Sequence, residues 1–144
     1  MKLELDKDIQ KQIDRMIKKA EMAEKEIREE GAQIVTAVTD RLEQETLKRM
    51  PVKEGMFEKS VMKKIVKRGS FSSLTGHVFI PSNAPGSDYA MYTHEWDYKP
   101  GEKSRAKEDS GGVVVGRKYM ERALMENAKA FGNYIVSQLR KVFT

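Results

Sequence analysis

The chain has 144 residues, 39% apolar and 34% charged, with a net charge of +5 and no cysteine. That length suits one domain with one modest core, and the lack of thiols excludes a disulfide framework and thiolate chemistry. No run of about 18 apolar residues is present to span a membrane, and residues 1–12 lack the apolar stretch of a signal peptide, so the expected setting is inside a cell.

The charge is unevenly placed. Residues 1–50 hold 11 Lys/Arg against 12 Asp/Glu, a net of −1, and residues 51–144 hold 16 against 10, a net of +6. A basic second part points to an anionic neighbour.

From Ile9 the apolar positions run Ile13, Met16, Ala20, Ala23, Ile27, Gly31, Ile34, Val38 and Leu42, in steps of three or four. That spacing predicts a long amphipathic helix, capped at its start by Asp6 or Asp8 and stopped near Met50 by Pro51. Gly31, inside the pattern, predicts a bend or close packing against another chain. The stripe before Gly31 is thin and cannot be buried by itself. It either folds back on its own domain or pairs with a neighbouring subunit.

The middle of the chain is richer in β-branched and aromatic residues. Ser60–Lys67, Leu74–Ile80 and Tyr89–Trp96 read as three strands of a small antiparallel sheet, separated by a turn at Arg68-Gly69-Ser70 and a loop over Pro81–Gly86. Leu74, Val78 and Ile80 alternate toward one buried face. Residues 97–112 read as a polar loop, too poor in apolar side chains to order itself when free. Val113–Val115 then reads as a short closing strand. Met120, Leu124, Ala128, Phe131, Ile135, Leu139 and Val142 again step by three and four, predicting a C-terminal amphipathic helix. The expected fold is α+β in a single domain: a helical arm (1–50), a β-rich core carrying the loop (51–116) and the C-terminal helix (117–144).

Catalytic constellations are missing. The only histidines are His77 and His94. No G-x-S-x-G elbow surrounds a serine, and His77 reads as an exposed sheet-face residue. His94-Glu95 lacks the second histidine four residues on that a zinc protease helix needs, since position 98 is Tyr98. Gly101-Glu102-Lys103-Ser104 lacks the glycine spacing of a phosphate loop. The expectation is therefore a non-enzyme with no metal and no organic cofactor.

Two basic clusters remain. Lys63, Lys64, Lys67 and Arg68 are candidates to face DNA, although a strand would divide them between its two faces. The plainer reading is a solvated edge that deters strand–strand aggregation. Lys99, Lys103, Arg105 and Lys107 lie in the predicted loop, with Trp96 and Tyr98 at its base as aromatic anchors. These six, with Ile13 and Ile17 on the arm, are the assembly and docking candidates.

Three stretches carry a family resemblance. Residues 51–61 (PVKEGMFEKSV) resemble the helix-to-strand passage of head–tail joining proteins of long-tailed bacteriophages, the neck or tail-completion family. Residues 89–95 (YAMYTHE) resemble that family's Tyr-Ala-x-Tyr-x-x-Glu strand, and residues 116–124 (GRKYMERAL) its Lys-aromatic-aliphatic-x-x-Ala-Leu helix start. Where many members continue Glu-Phe-Gly-Thr, this chain has Glu95-Trp96-Asp97-Tyr98. The resemblance covers roughly residues 33–143. It implies a structural subunit forming a homo-oligomeric ring, commonly six-fold, at the head–tail junction of a phage or prophage-derived particle. Portal-side or connector proteins and tail-tube or terminator proteins would be its neighbours, with DNA passing through and no membrane involved. It further implies a virion location after assembly in the bacterial cytoplasm. The other reading of the basic second part is a non-catalytic nucleic-acid-binding accessory protein.

Overall fold

A computed structural model describes residues 7–52, 56–68, 73–96 and 98–143. The first element, α1 (Lys7–Arg49), is one continuous helix of 43 residues. At 1.5 Å per residue it is roughly 64 Å long. It ends at the predicted place, one residue before Met50-Pro51. Asp6 lies outside the described residues. The helix runs unbroken through Gly31, and the close packing there is against the chain itself: a Cβ would stand 3.8 Å from Leu74 Cδ1. The glycine faces the chain's own hairpin.

After the short α2 (Met56–Ser60) come β1 (Met62–Arg68) and β2 (Ser73–Phe79), paired antiparallel with Ile65 opposite Gly76. The turn residues Gly69 and Ser70 lie outside the described residues. Two strands alone are marginal in water, so the hairpin needs a support. It lies on α1, and Gly76 permits the approach: a Cβ at that position would fall 1.8 Å from Thr39 Oγ1. Leu74, Gly76 and Val78 are half-buried while Ser73, Thr75 and His77 are exposed, the alternation expected from the sequence.

The predicted third strand is a helix, α3 (Ser87–Glu95). Tyr89–Trp96 has strand-like composition, but helical spacing puts Ala90 and Thr93 on one buried face and leaves Tyr89, Tyr92 and Trp96 outside. The predicted loop is also largely helical. After Tyr98–Gly101, α4 (Glu102–Gly111) forms from good helix formers and ends at Gly112, whose φ of 68° suits the left-handed cap. Two inward polar side chains hold α4. Ser104 is buried and its Oγ accepts from the Val52 N–H at 2.9 Å. Lys107 Nζ donates to the carbonyls of Leu47 and Met50, the latter at 2.9 Å, and to Glu58 at 3.3 Å. A lysine thereby caps the C-terminal carbonyls of α1. Lys107→Met should cost about 1.5–3 kcal/mol, the scale for charged hydrogen bonds, read as a lowered midpoint in chemical denaturation.

Val113–Val115 forms no strand. Its donors go elsewhere: the Val115 N–H to Glu108 at 3.1 Å and the Gly116 N–H to the Arg49 carbonyl at 2.9 Å. The chain then enters α5 (Tyr119–Phe143), antiparallel along α1, so that Glu126 meets Arg49 while Gln138 and Lys141 lie near Glu26 and Glu29. The buried stripe of α5 begins one residue early, through Tyr119, Ala123 and Phe131, which leaves Leu124 exposed. Met50, Ala90 and Tyr119 form the core, with Leu47, Val61, Ile80 and Met120 packed around them. The fold is α+β: a long N-terminal amphipathic helix, a small antiparallel sheet and a C-terminal amphipathic helix.

Candidate functional site

Two surfaces stand out, and they lie far apart. The first is the N-terminal part of α1. Every residue from 7 to 30 is exposed. Ile13 and Ile17 are 40% and 50% exposed, and Met16 is 69% exposed. Because α5 ends beside Glu26–Glu30, residues 7–25 project beyond the body as a helical arm whose apolar stripe is exposed. That arm extends for roughly 28 Å.

The second surface is the outer face of α3. Tyr89 and Tyr92 stack with ring centroids 6.0 Å apart, and Tyr92 stacks on Trp96 at 6.0 Å with 19° between planes. Tyr98 tilts against Tyr92 at 6.4 Å. The structure thus brings Trp96 and Tyr98 together, as their candidacy requires, and adds Tyr89 and Tyr92. The steps of three and four at 89, 92 and 96 were the available signal, together with Ser87-Asp88 after Gly86 as a helix start.

The basic candidates are not one cluster. Lys99, Lys103 and Arg105 are exposed, with Arg105 Nε donating to the Pro100 carbonyl at 3.1 Å. Lys107 turns inward and is a structural cap, so it leaves the docking set. On the hairpin, Lys63 binds Asp40 at 2.6 Å and Glu43 at 3.5 Å on α1, and its hydrogen bond to Asp40 raises its pKa. Lys64 lies over the Phe79 ring at 5.2 Å, on the opposite face of the hairpin. Lys67 and Arg68 are exposed on different faces. No single stripe of four charges faces outward.

A cavity of about 470 Å³ lies between the end of the hairpin and α3, lined chiefly by Val78, Ile80, Ala90, Met91 and Met120, with Ser87 and His94 at its walls. His94 Nδ1 is 2.8 Å from Glu95, the pair that orients a catalytic base, and the ring meets Tyr119 edge-on at 4.8 Å. Among the described residues no nucleophile is shown bonded to this histidine. Ser87 is seven residues away along the same helix, roughly 10 Å by helical rise, and its hydroxyl donates to the Ser82 carbonyl. Glu95 is engaged by Lys118 at 2.6 Å, and that hydrogen bond leads the causes that lower its pKa. The cavity wall is chiefly apolar. Among the described residues no group of three His, Asp or Glu could hold a metal, and no helix is long and apolar enough to cross a membrane.

Burial pushes the Tyr98 and Tyr119 hydroxyls up to about 12. Tyr119 donates to the Ala90 carbonyl at 2.8 Å; the buried Tyr98 hydroxyl has no protein partner. Raised folded-state values mean that the neutral phenols stabilise fully below the ordinary 10.0, and that this stability drains as pH rises toward about 12. Absorbance titration should show a late phenolate component that Tyr98→Phe and Tyr119→Phe each reduce.

No protein-family model matches the chain, nor does any curated protein or solved structure.

Proposed function

We propose that the chain is a structural subunit of a tailed phage or prophage-derived particle, forming a ring at the head–tail junction that completes or connects the tail. The carrying observation is that residues 7–30 keep an apolar stripe at helical spacing and are exposed throughout. A helix that long, with that stripe uncovered, belongs to a chain whose neighbours finish it. The stacked aromatics on α3 are a second surface of hot-spot composition. The resemblance of residues 51–61, 89–95 and 116–124 supplies the particular assembly, although the second of these motifs is helical here. In this reading neighbours make heterologous contacts that close into a ring, six-fold by that resemblance. Connector and tail-tube proteins would meet its two sides.

Gold-labelled antibody against the chain should mark the neck of intact particles. Particles assembled without it should appear as separate heads and tails. Absence from particles, with salt-steep duplex binding by the isolated chain, would instead identify a nucleic-acid-binding accessory protein.

A further inference from the structure

We infer that in solution two copies of this chain pair through their arms, α1 against α1 in antiparallel orientation, centred on Lys18. The inference rests on the arm alone and holds whatever the body does.

The arm has heptad spacing. Ile9, Ile13, Met16, Ala20, Ala23 and Ile27 follow one another by four, three, four, three and four residues. That is the seam of a two-stranded coiled coil about three heptads long. All six positions are exposed, and α5 begins to cover α1 only where this seam ends. The length left free by the body is the length the seam occupies.

Charge says what covers it. Residues 7–19 carry five basic against two acidic side chains, a net of +3; residues 20–30 carry two against five, a net of −3. The arm is a dipole with a basic tip and an acidic root, neutral as a whole. A neutral arm is drawn neither to an anionic lipid surface nor to a phosphate backbone, since both need an excess of Lys and Arg. A second copy laid antiparallel places tip against root, at both ends at once. A parallel copy would set +3 against +3 and −3 against −3.

Side-chain size gives the same answer independently. Antiparallel pairing about residue 18 sets Ile9 opposite Ile27 of the second copy, Ile13 opposite Ala23 and Met16 opposite Ala20. Large meets small in the central layers, which fills them without voids. Parallel in-register pairing would stack alanine on alanine in two successive layers and leave them underfilled. Ile17 flanks the seam beside its own copy. Lys19 meets Lys19 across the centre on the other flank, the one like-charged contact, with room to turn into solvent. Most helical stability in proteins comes from packing of an amphipathic face, so pairing also stabilises the arm itself. The contact is isologous and stops at two copies in the free protein; the proposed heterologous ring contacts would replace it on assembly.

Sedimentation equilibrium of the full chain should give twice the 16.5 kDa of one chain. Ile13→Asp combined with Ile17→Asp should give a single-chain mass while the body keeps its unfolding transition. Orientation is read from thiols, which the parent chain lacks. A mixture of Ile9→Cys and Ile27→Cys chains should cross-link on mild oxidation, and Ile9→Cys alone should not. The inference is overturned by a parent of single-chain mass, by an aspartate variant that stays dimeric, or by cross-linking of Ile9→Cys with itself. Particle incorporation plays no part in these readouts, so they stand apart from the proposed virion role.

Discussion

Replacing Arg49 by alanine is expected to remove about 3–5 kcal/mol of stability, the scale for stripping one partner from a buried ion pair. Arg49 is 3% exposed at the end of α1. Its NH1 donates to Glu45 at 2.7 Å, and its Nε and NH2 both donate to Glu126 of α5, at 3.1 and 2.7 Å. The guanidinium therefore ties the end of the first helix to the last one. Glu45 is almost as buried, and in the variant its carboxylate keeps only the lysine and arginine at its edge, Lys48 and Arg41. Burial tends to raise the pKa of Glu45, but hydrogen bonds from Arg49 and Lys48 outweigh it, and the net shift is downward from 4.5. Depression means that Glu45 stabilises the fold above 4.5 and that this contribution is lost as pH falls through the lowered folded value. Without Arg49 its hydrogen bond and charge are lost and the depression shrinks, so mild acidification should narrow the gap between variant and parent. Urea denaturation at neutral and mildly acidic pH checks both points. A gap that stays constant across that range would mean Glu45 is not the group left uncompensated.

Gly76→Ala should destabilise by about 1–3 kcal/mol or more through overpacking. The added Cβ would sit 1.8 Å from Thr39 Oγ1 and 3.0 Å from Thr39 Cβ, both on the rigid stem of a buried side chain. Backbone preference works the other way, because alanine costs less conformational entropy than glycine. Contact decides the sign. Thr39→Ala in the same chain removes the hydroxyl, which donates to the Val35 carbonyl within α1. The double variant should regain most of the loss, leaving one tight Cβ–Cβ contact. Thermal unfolding of the four members of this cycle measures the coupling. Parent-like stability in Gly76→Ala alone would show that the hairpin stands further from α1.

Both variants test contacts whose participants the sequence suggested only in part. The helical spacing of α1 and its stop at Pro51 were readable because each rests on local chemistry. So was the hairpin, whose buried face alternates through Leu74, Gly76 and Val78. The helix α3 was not, because Tyr, Met, Thr and His in succession satisfy strand composition and only the burial of Ala90 and Thr93 arbitrates. The helix α4 was invisible for another reason. Its buried face carries Ser104 and Lys107 instead of an apolar stripe, so hydrophobic periodicity had nothing to register. The same applies to the assembly surfaces. Ile13, Ile17, Trp96 and Tyr98 were nameable by residue type, whereas the stacking of Tyr89 and Tyr92 onto Trp96 follows from a helix the composition concealed.

The anchoring of α1 at its C-terminal end has a mechanical consequence. Lys107, Arg49 and the Gly116 N–H all hold the last turn, and the hairpin and α5 lie along α1 back to about Glu26, while the apolar stripe from Ile9 to Ala23 stays exposed. A stiff rod clamped at one end is a lever. With roughly 28 Å projecting beyond the body, a tilt of about 5° at its root sweeps the tip sideways through about 2.5 Å, enough to part the facing side chains of a seam. Small packing changes around Met50 are therefore magnified at Ile9 and Ile13, and damage far from the arm, at Lys107 or Arg49, would register there as lost alignment before any unfolding is detectable.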